Sequence, residues 1–224
     1  MRLLLIRHGQ TPANVAGILE TTIPGPGLTA LGQQQAQAVP HALRAETVDG
    51  VYASRMVRTQ LTSRPLADAL GSSPATVLDG LHEIEAGELE GRSDPAAVRA
   101  YVETAWAWGS GDLDPRMPGG PDGHEFFRRY DAGIAAIAAT HPDGTGVAFS
   151  HGAAIRVWAA RRAVNLPEDR SRFGALDNTA VVILNGDPAA GWELESWGGQ
   201  PVGGTALHDP AAEDVTGESI AQLE

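Results

Sequence analysis

The chain has 224 residues, 42% of them hydrophobic, which suits one α/β domain with an insertion and allows a sizeable core. Its formal net charge is −12 and all 16 basic residues are arginine, which argues against a nucleic-acid-binding surface and makes any local arginine cluster informative. There is no cysteine for disulfides or thiolate metal sites, and no apolar run approaches the roughly 20 residues of a membrane helix. The chain opens directly on a strand, with no cationic and cleavable leader, so a soluble cytoplasmic protein with no membrane or nucleic-acid partner is expected.

Leu3-Leu4-Leu5-Ile6 reads as a core strand buried on both faces, and it ends at Arg7-His8-Gly9. In an open α/β sheet such a strand end opens on the ligand crevice. Thr11-Pro12 then starts a short helix to about Leu19, with Asn14 in its first turn. Cation, imidazole and helix N-terminus converge there, a combination suited to an anion. Residues 21–27, dense in proline and glycine, form a loop, and Thr29 caps a helix to about Arg44 that Pro40 should kink or shorten. Val48 to Ala53 is the second core strand. Ser54 is expected to cap the next helix, which would aim Arg58 at the same crevice.

Thr76 to Leu78 is a short strand, followed by four carboxylates between Glu83 and Glu90. A helix from Pro95 to about Trp108 leads into a Gly-, Pro- and Asp-rich stretch that ends near Gly123. Trp106 and Trp108 either face a ligand or pack, and packing is the plainer reading. A helix from about Glu125 to Thr140 precedes Gly146 to Gly152, where the opening design recurs: apolar strand, histidine (His151), glycine, helix. Ala180 to Leu184 is a further strand, and Trp192 to Trp197 pairs at the sheet edge. From Gly199 the chain carries Asp209, Glu213, Asp214, Glu218 and Glu224 and no basic residue, a tail expected to be mobile or loosely docked.

Alone, Arg7 and His8 read as a solvated strand end, Arg58 as a solvated helix arginine and the acidic run as a solvated loop. In this order, however, the segments resemble the histidine phosphatase, or phosphoglycerate-mutase-like, superfamily from about residue 2 to about residue 184. The segments that carry the resemblance are Arg7-His8-Gly9, Leu28-Thr29 before Gly32, Arg58 four residues after Ser54, Leu81-x-Glu83 with Gly87, Glu90 and Gly91, and Ser150-His151-Gly152. It implies a three-layer α/β/α sandwich around a mostly parallel sheet, in a domain spanning 1–198 with a cap insertion at about 92–124 and an acidic tail at 199–224. The chain departs from the family at Thr59 and Ser63, where alanines are usual, and at Gly119-Gly120-Pro121-Asp122, where Gly-Gly-Glu-Ser is common. Arg129 falls where the family places an arginine.

The resemblance also implies a metal-independent phosphatase acting on a small phosphorylated metabolite through a phosphohistidine. His8 would be the nucleophile and Glu83 the proton donor, while Arg7 and Arg58 neutralise the phosphoryl oxygens and His151 donates a further hydrogen bond. Asn14, Gly152, Gln10, Thr22 and His82 complete the expected phosphate- and substrate-binding set, and Glu90 supports its loop. No cofactor is implied, and arginines beside the histidines would repel a metal cation. A bisphosphoglycerate-dependent mutase shares these residues but relies on a longer, more basic cap. A non-catalytic phosphate-binding module would have no need of both a nucleophile and an acid. Physiological substrate is not fixed by these residues, and a homodimer is compatible with them.

Overall fold

The computed structural model describes residues 1–166, 176–212 and 214–216. Strand β1 (Arg2–Arg7) is the sheet's organising strand, and its unbroken apolar run is buried on both sides. Leu3 and Leu5 enter one core and Leu4 and Ile6 the other, the alternation a strand imposes. β1 pairs in parallel with β4 (Thr145–Ser150) and antiparallel with β5 (Val181–Asp187). β2 (Gly50–Ala53) and β3 (Thr76–Val77) extend the parallel side, and β6 (Gly191–Trp197) forms the antiparallel edge. The order is β3-β2-β4-β1-β5-β6.

Helices α2 (Ala30–Ala42) and α3 (Val57–Ala69) bury Val39, Leu66 and Ala67 against the Leu4 and Ile6 face. Helices α4 (Pro95–Ser110), α5 (Gly123–Thr140) and α6 (Gly152–Arg162) bury Tyr101, Ile134 and Ile155 against the opposite face. The molecule is therefore an α/β/α sandwich on a mostly parallel sheet. The chain leaves β1 towards the α2 face and leaves the adjacent β4 towards the α6 face. Their carboxyl ends thus frame a topological switch point, where open α/β sheets bind ligands.

Several elements differ from the sequence reading. Helix α1 (Pro12–Val15) has its Thr11 cap, completed by Asn14 as a capping box, but it stops well before Leu19. Gly17 at φ +62° takes the left-handed conformation that ends helices. α2 runs through Pro40 and ends two residues later, so Pro40 shortens it. Ser54 does not cap α3, whose N-cap is Met56 two residues later without a side-chain bond; the Ser54 hydroxyl accepts from the Met56 amide at 3.3 Å and meets His151 Nε2. The described part of the acidic tail is docked: Gln35 Nε2 donates to the Leu207 carbonyl at 2.8 Å, His208 pairs with Asp177, and Gln10 Nε2 donates to Asp209. Glu213, Glu218 and Glu224 lie outside the described residues. Among the described residues, no helix is long and apolar enough to cross a membrane.

Candidate active site

β1 delivers Arg7 and His8, both buried, to the sheet's carboxyl edge. The strand end is pinned there by His8 N donating to the Ser150 carbonyl at 3.0 Å and by Asn178 Nδ2 donating to the His8 carbonyl at 3.0 Å. Gly9 is needed for approach rather than for an unusual φ. A Cβ there would lie 2.6 Å from the Gly32 carbonyl oxygen, and one on Gly32 would lie 2.2 Å from that of Gln10. The two glycines let the loop after β1 press on the first turn of α2.

His8 Nδ1 lies 2.8 Å from the Gly9 carbonyl, which can only accept. Nδ1 therefore carries the proton and Nε2 keeps a free lone pair. Burial, followed by the charges of Arg58 and Arg7, pushes the His8 pKa well below the ordinary histidine value, so the ring is neutral at physiological pH. His151 caps α6 from the end of β4, with its ring centroid 5.2 Å from that of His8. Arg58 Nε donates to its Nδ1 at 3.3 Å, which leaves Nε2 to donate to Ser54 Oγ at 2.7 Å. Burial, then Arg58, depresses the His151 pKa as well. In this arrangement His151 accepts from Arg58 rather than offering a proton to the pocket.

Arg58, buried in α3, also donates through Nη1 to Glu20 Oε2 at 2.7 Å and through Nη2 to the Glu20 carbonyl at 3.0 Å. Glu83 is buried, and burial raises its pKa even though the backbone amides of Ile84, Ala153 and Ala154 donate to its carboxylate. Arg129 holds the loop that carries it, donating to the carbonyls of Gly80, His82 and Glu83 at 2.6–2.9 Å. Glu90 accepts from the Thr21 and Thr22 amides and so ties two loops together.

A small pocket opens here, walled among others by His8, Asn14, Glu20, Arg58 and Glu83. Arg7 reaches the same place, because its Nη2 donates to Thr216 Oγ1, a wall residue, at 3.0 Å. Gly152 closes the site from the start of α6, and a Cβ there would lie 3.0 Å from Arg7 Nε. The remaining three expected contacts stand apart from the cavity. Gln10 is turned towards Thr29 and Asp209, Thr22 is exposed, and His82 is engaged by Glu85 and the Asp79 carbonyl. Trp108 packs in the core, whereas Trp106 lines a groove beside Arg156 and Val157.

The sequence reading missed Glu20, Ser54, Arg156 and the tail residues Asp214 and Thr216. The Asp214 carboxylate is gripped by both terminal nitrogens of Arg7 and accepts from Asn14 Nδ2 at 3.1 Å. Among the described residues, no three His, Asp or Glu side chains are grouped as a metal would need. The pocket instead offers cations and amide donors around a neutral imidazole.

The model of the histidine phosphatase superfamily (branch 1) matches residues 3–200. The PE-PGRS family protein PE_PGRS11 of Mycobacterium tuberculosis is 40% identical over 94% of this chain, which spans only 38% of that protein's length. The probable phosphoglycerate mutase GpmB of an Enterobacter species is 29% identical, with 88% of this chain and 93% of that protein covered. A mycobacterial glucosyl-3-phosphoglycerate phosphatase, solved with vanadate, superposes with a TM-score of 0.71 at 25% identity, covering 89% of this chain and 99% of that one. The fold, the paired strand-end histidines and the extent of the match agree: this chain belongs to the histidine phosphatase superfamily and is an enzyme of the phosphatase type.

Proposed function

We propose that the enzyme hydrolyses a small phosphomonoester through a phosphohistidine, without a metal. The observation that carries this reading is the neutral His8, whose Nδ1 proton is held by Gly9 and whose Nε2 lone pair is free, set among Arg7, Arg58 and Glu83. In the first step Nε2 attacks phosphorus and the bond to the ester oxygen breaks. The Glu83 carboxyl, whose raised pKa favours the protonated form, gives its proton to the leaving oxygen. The resulting Glu83 carboxylate then takes a proton from water, whose oxygen attacks phosphorus as the P–N bond breaks. His8 returns to its starting form and phosphate leaves. The guanidinium groups of Arg7 and Arg58 neutralise the equatorial oxygens, Arg58 exchanging Glu20 for the phosphoryl group.

The mutase reading draws support from the GpmB relatives, and it uses the same residues. Against it stands a short cap whose only cations are Arg92, Arg99 and Arg116. The test is hydrolysis of an aryl phosphate with chelator present, beside a metabolite panel that includes 3-phosphoglycerate with and without a bisphosphoglycerate primer. His8→Ala should lose at least about 10⁴-fold in kcat while remaining folded. Glu83→Gln should slow alkyl phosphates far more than aryl phosphates, since an aryl oxide leaves without a proton. Chelator-sensitive turnover, or an active His8→Ala, removes the mechanism. Primer-dependent interconversion of phosphoglycerates without net hydrolysis makes the enzyme a mutase.

A further inference from the structure

The groups assigned to the phosphoryl oxygens are already holding an anion, and it comes from the chain itself. Asp214 presents its carboxylate to the Arg7 fork, with 2.6 Å between Nη2 and Oδ1, and takes the Asn14 amide on the same oxygen. A planar carboxylate in an arginine fork uses the geometry by which arginine binds phosphate. The next two residues continue the occupation. Val215 packs against the core in a groove lined by Tyr101, Trp106 and Val157. Thr216 accepts from Arg7 through its hydroxyl and from Arg156 through its carbonyl at 3.4 Å.

The fit is incomplete in a telling way. Arg7 Nε and Arg156 Nε are buried, and neither has a hydrogen-bond partner among the described residues. A carboxylate has one oxygen fewer than a phosphoryl group, and the arginine that grips it keeps Nε unused. Unused buried donors cost free energy, and a ligand with more oxygens can recover it. The segment fills the site well enough to compete and poorly enough to be displaced.

We propose that Asp214, Val215 and Thr216 form an autoinhibitory strap, a tethered competitor for the phosphate site. For turnover this rests on the phosphatase reading; for anion binding it does not. A tethered group acts at an effective concentration that reaches the millimolar range. Apparent affinity for substrate then falls by the fraction of molecules whose strap is open, with no effect on the rate at saturation.

The experiment uses the full-length protein as wild type, Asp214→Ala and Val215→Asn, the last to undock the strap from its apolar groove without touching the arginines. Aryl phosphate hydrolysis gives KM, kcat and the inhibition constant of inorganic phosphate, and calorimetry gives the phosphate Kd directly. In Asp214→Ala, KM, Ki and Kd should fall together by on the order of tenfold with kcat within about twofold of wild type; Val215→Asn should move them in the same direction. A higher KM or a kcat reduced tenfold in Asp214→Ala would mean that the aspartate orients Arg7 for its work, and the strap is then overturned. Unchanged Ki and Kd overturn it equally, by showing that the segment does not hold the pocket. Tighter phosphate binding in both variants without turnover of any ester supports the strap while removing the phosphatase reading.

Discussion

Arg58 sits between His151, to which it donates at 3.3 Å, and Glu20, with which it pairs at 2.7 Å. After burial, its charge is the main influence that keeps His8 unprotonated. On the proposed mechanism the acid limb of kcat/KM reports protonation of His8 in the free enzyme, so it should lie below the ordinary histidine range. Removing the cation should move that limb to higher pH. Arg58→Gln is therefore expected to show both an upward-shifted acid limb and a loss in kcat on the order of 10²–10³-fold, read from pH–rate profiles on an aryl phosphate. A fall in rate with an unmoved limb would leave Arg58 a phosphate ligand only. His8 and His151 could be found in the sequence because each follows an apolar strand and precedes a glycine, and Arg7, Arg58 and Glu83 because their spacing resembles the family's segments. Glu20, Ser54 and Asp214 could not. Their partners are 38, 97 and 207 residues away, and only the closed fold brings them together.

The start of α5 shows what the Gly119-Gly120-Pro121-Asp122 stretch does in this chain. At Gly119-Gly120-Pro121-Asp122 the Asp122 side chain accepts from the Glu125 amide and caps α5, while Glu125 reaches back to the Asp122 amide. Arg116 pairs with both carboxylates. In this chain Asp122 and Glu125 thus form a capping box at the start of α5. Asp122→Ala should lower Tm by about 2–4 °C, with Asp122→Ser close to wild type. A Tm unchanged in the alanine variant would show that Glu125 and Arg116 hold the helix start without it. Helices and strands with strong periodicity were legible to within a few residues. Ends such as that of α1 at Gly17 were less so, because a left-handed glycine and an ordinary one look alike in sequence.

Across the whole molecule, two buried imidazoles are held neutral, His8 and His151, each depressed first by burial. In the unfolded chain each takes up a proton near pH 6.5. Below that pH the unfolded state binds more protons than the folded one, so stability declines as pH falls. Tm should therefore drop between about pH 7 and pH 5, and the drop should be smaller in His8→Ala; equal slopes would mean that His8 does not contribute. The α/β/α layering was legible because β1 and β4 announce themselves as doubly buried strands. The tail was legible only as mobile or loosely docked, since composition does not say which partners an acidic, arginine-free segment finds.

β1 and β4 run in register as far as Arg7 opposite Ser150, and His8 and His151 follow directly after the two strands. Their rings stand 5.2 Å apart, close to the roughly 4.8 Å between neighbouring strands. Backbone pairing thus brings the two residues side by side, while Arg58 and Ser54 hold the His151 ring and the Gly9 carbonyl holds that of His8. Substitutions that loosen either core would make the protein easier to unfold long before they changed the width of the gap, so weakened variants should keep their grip on phosphate until the sheet itself gives way.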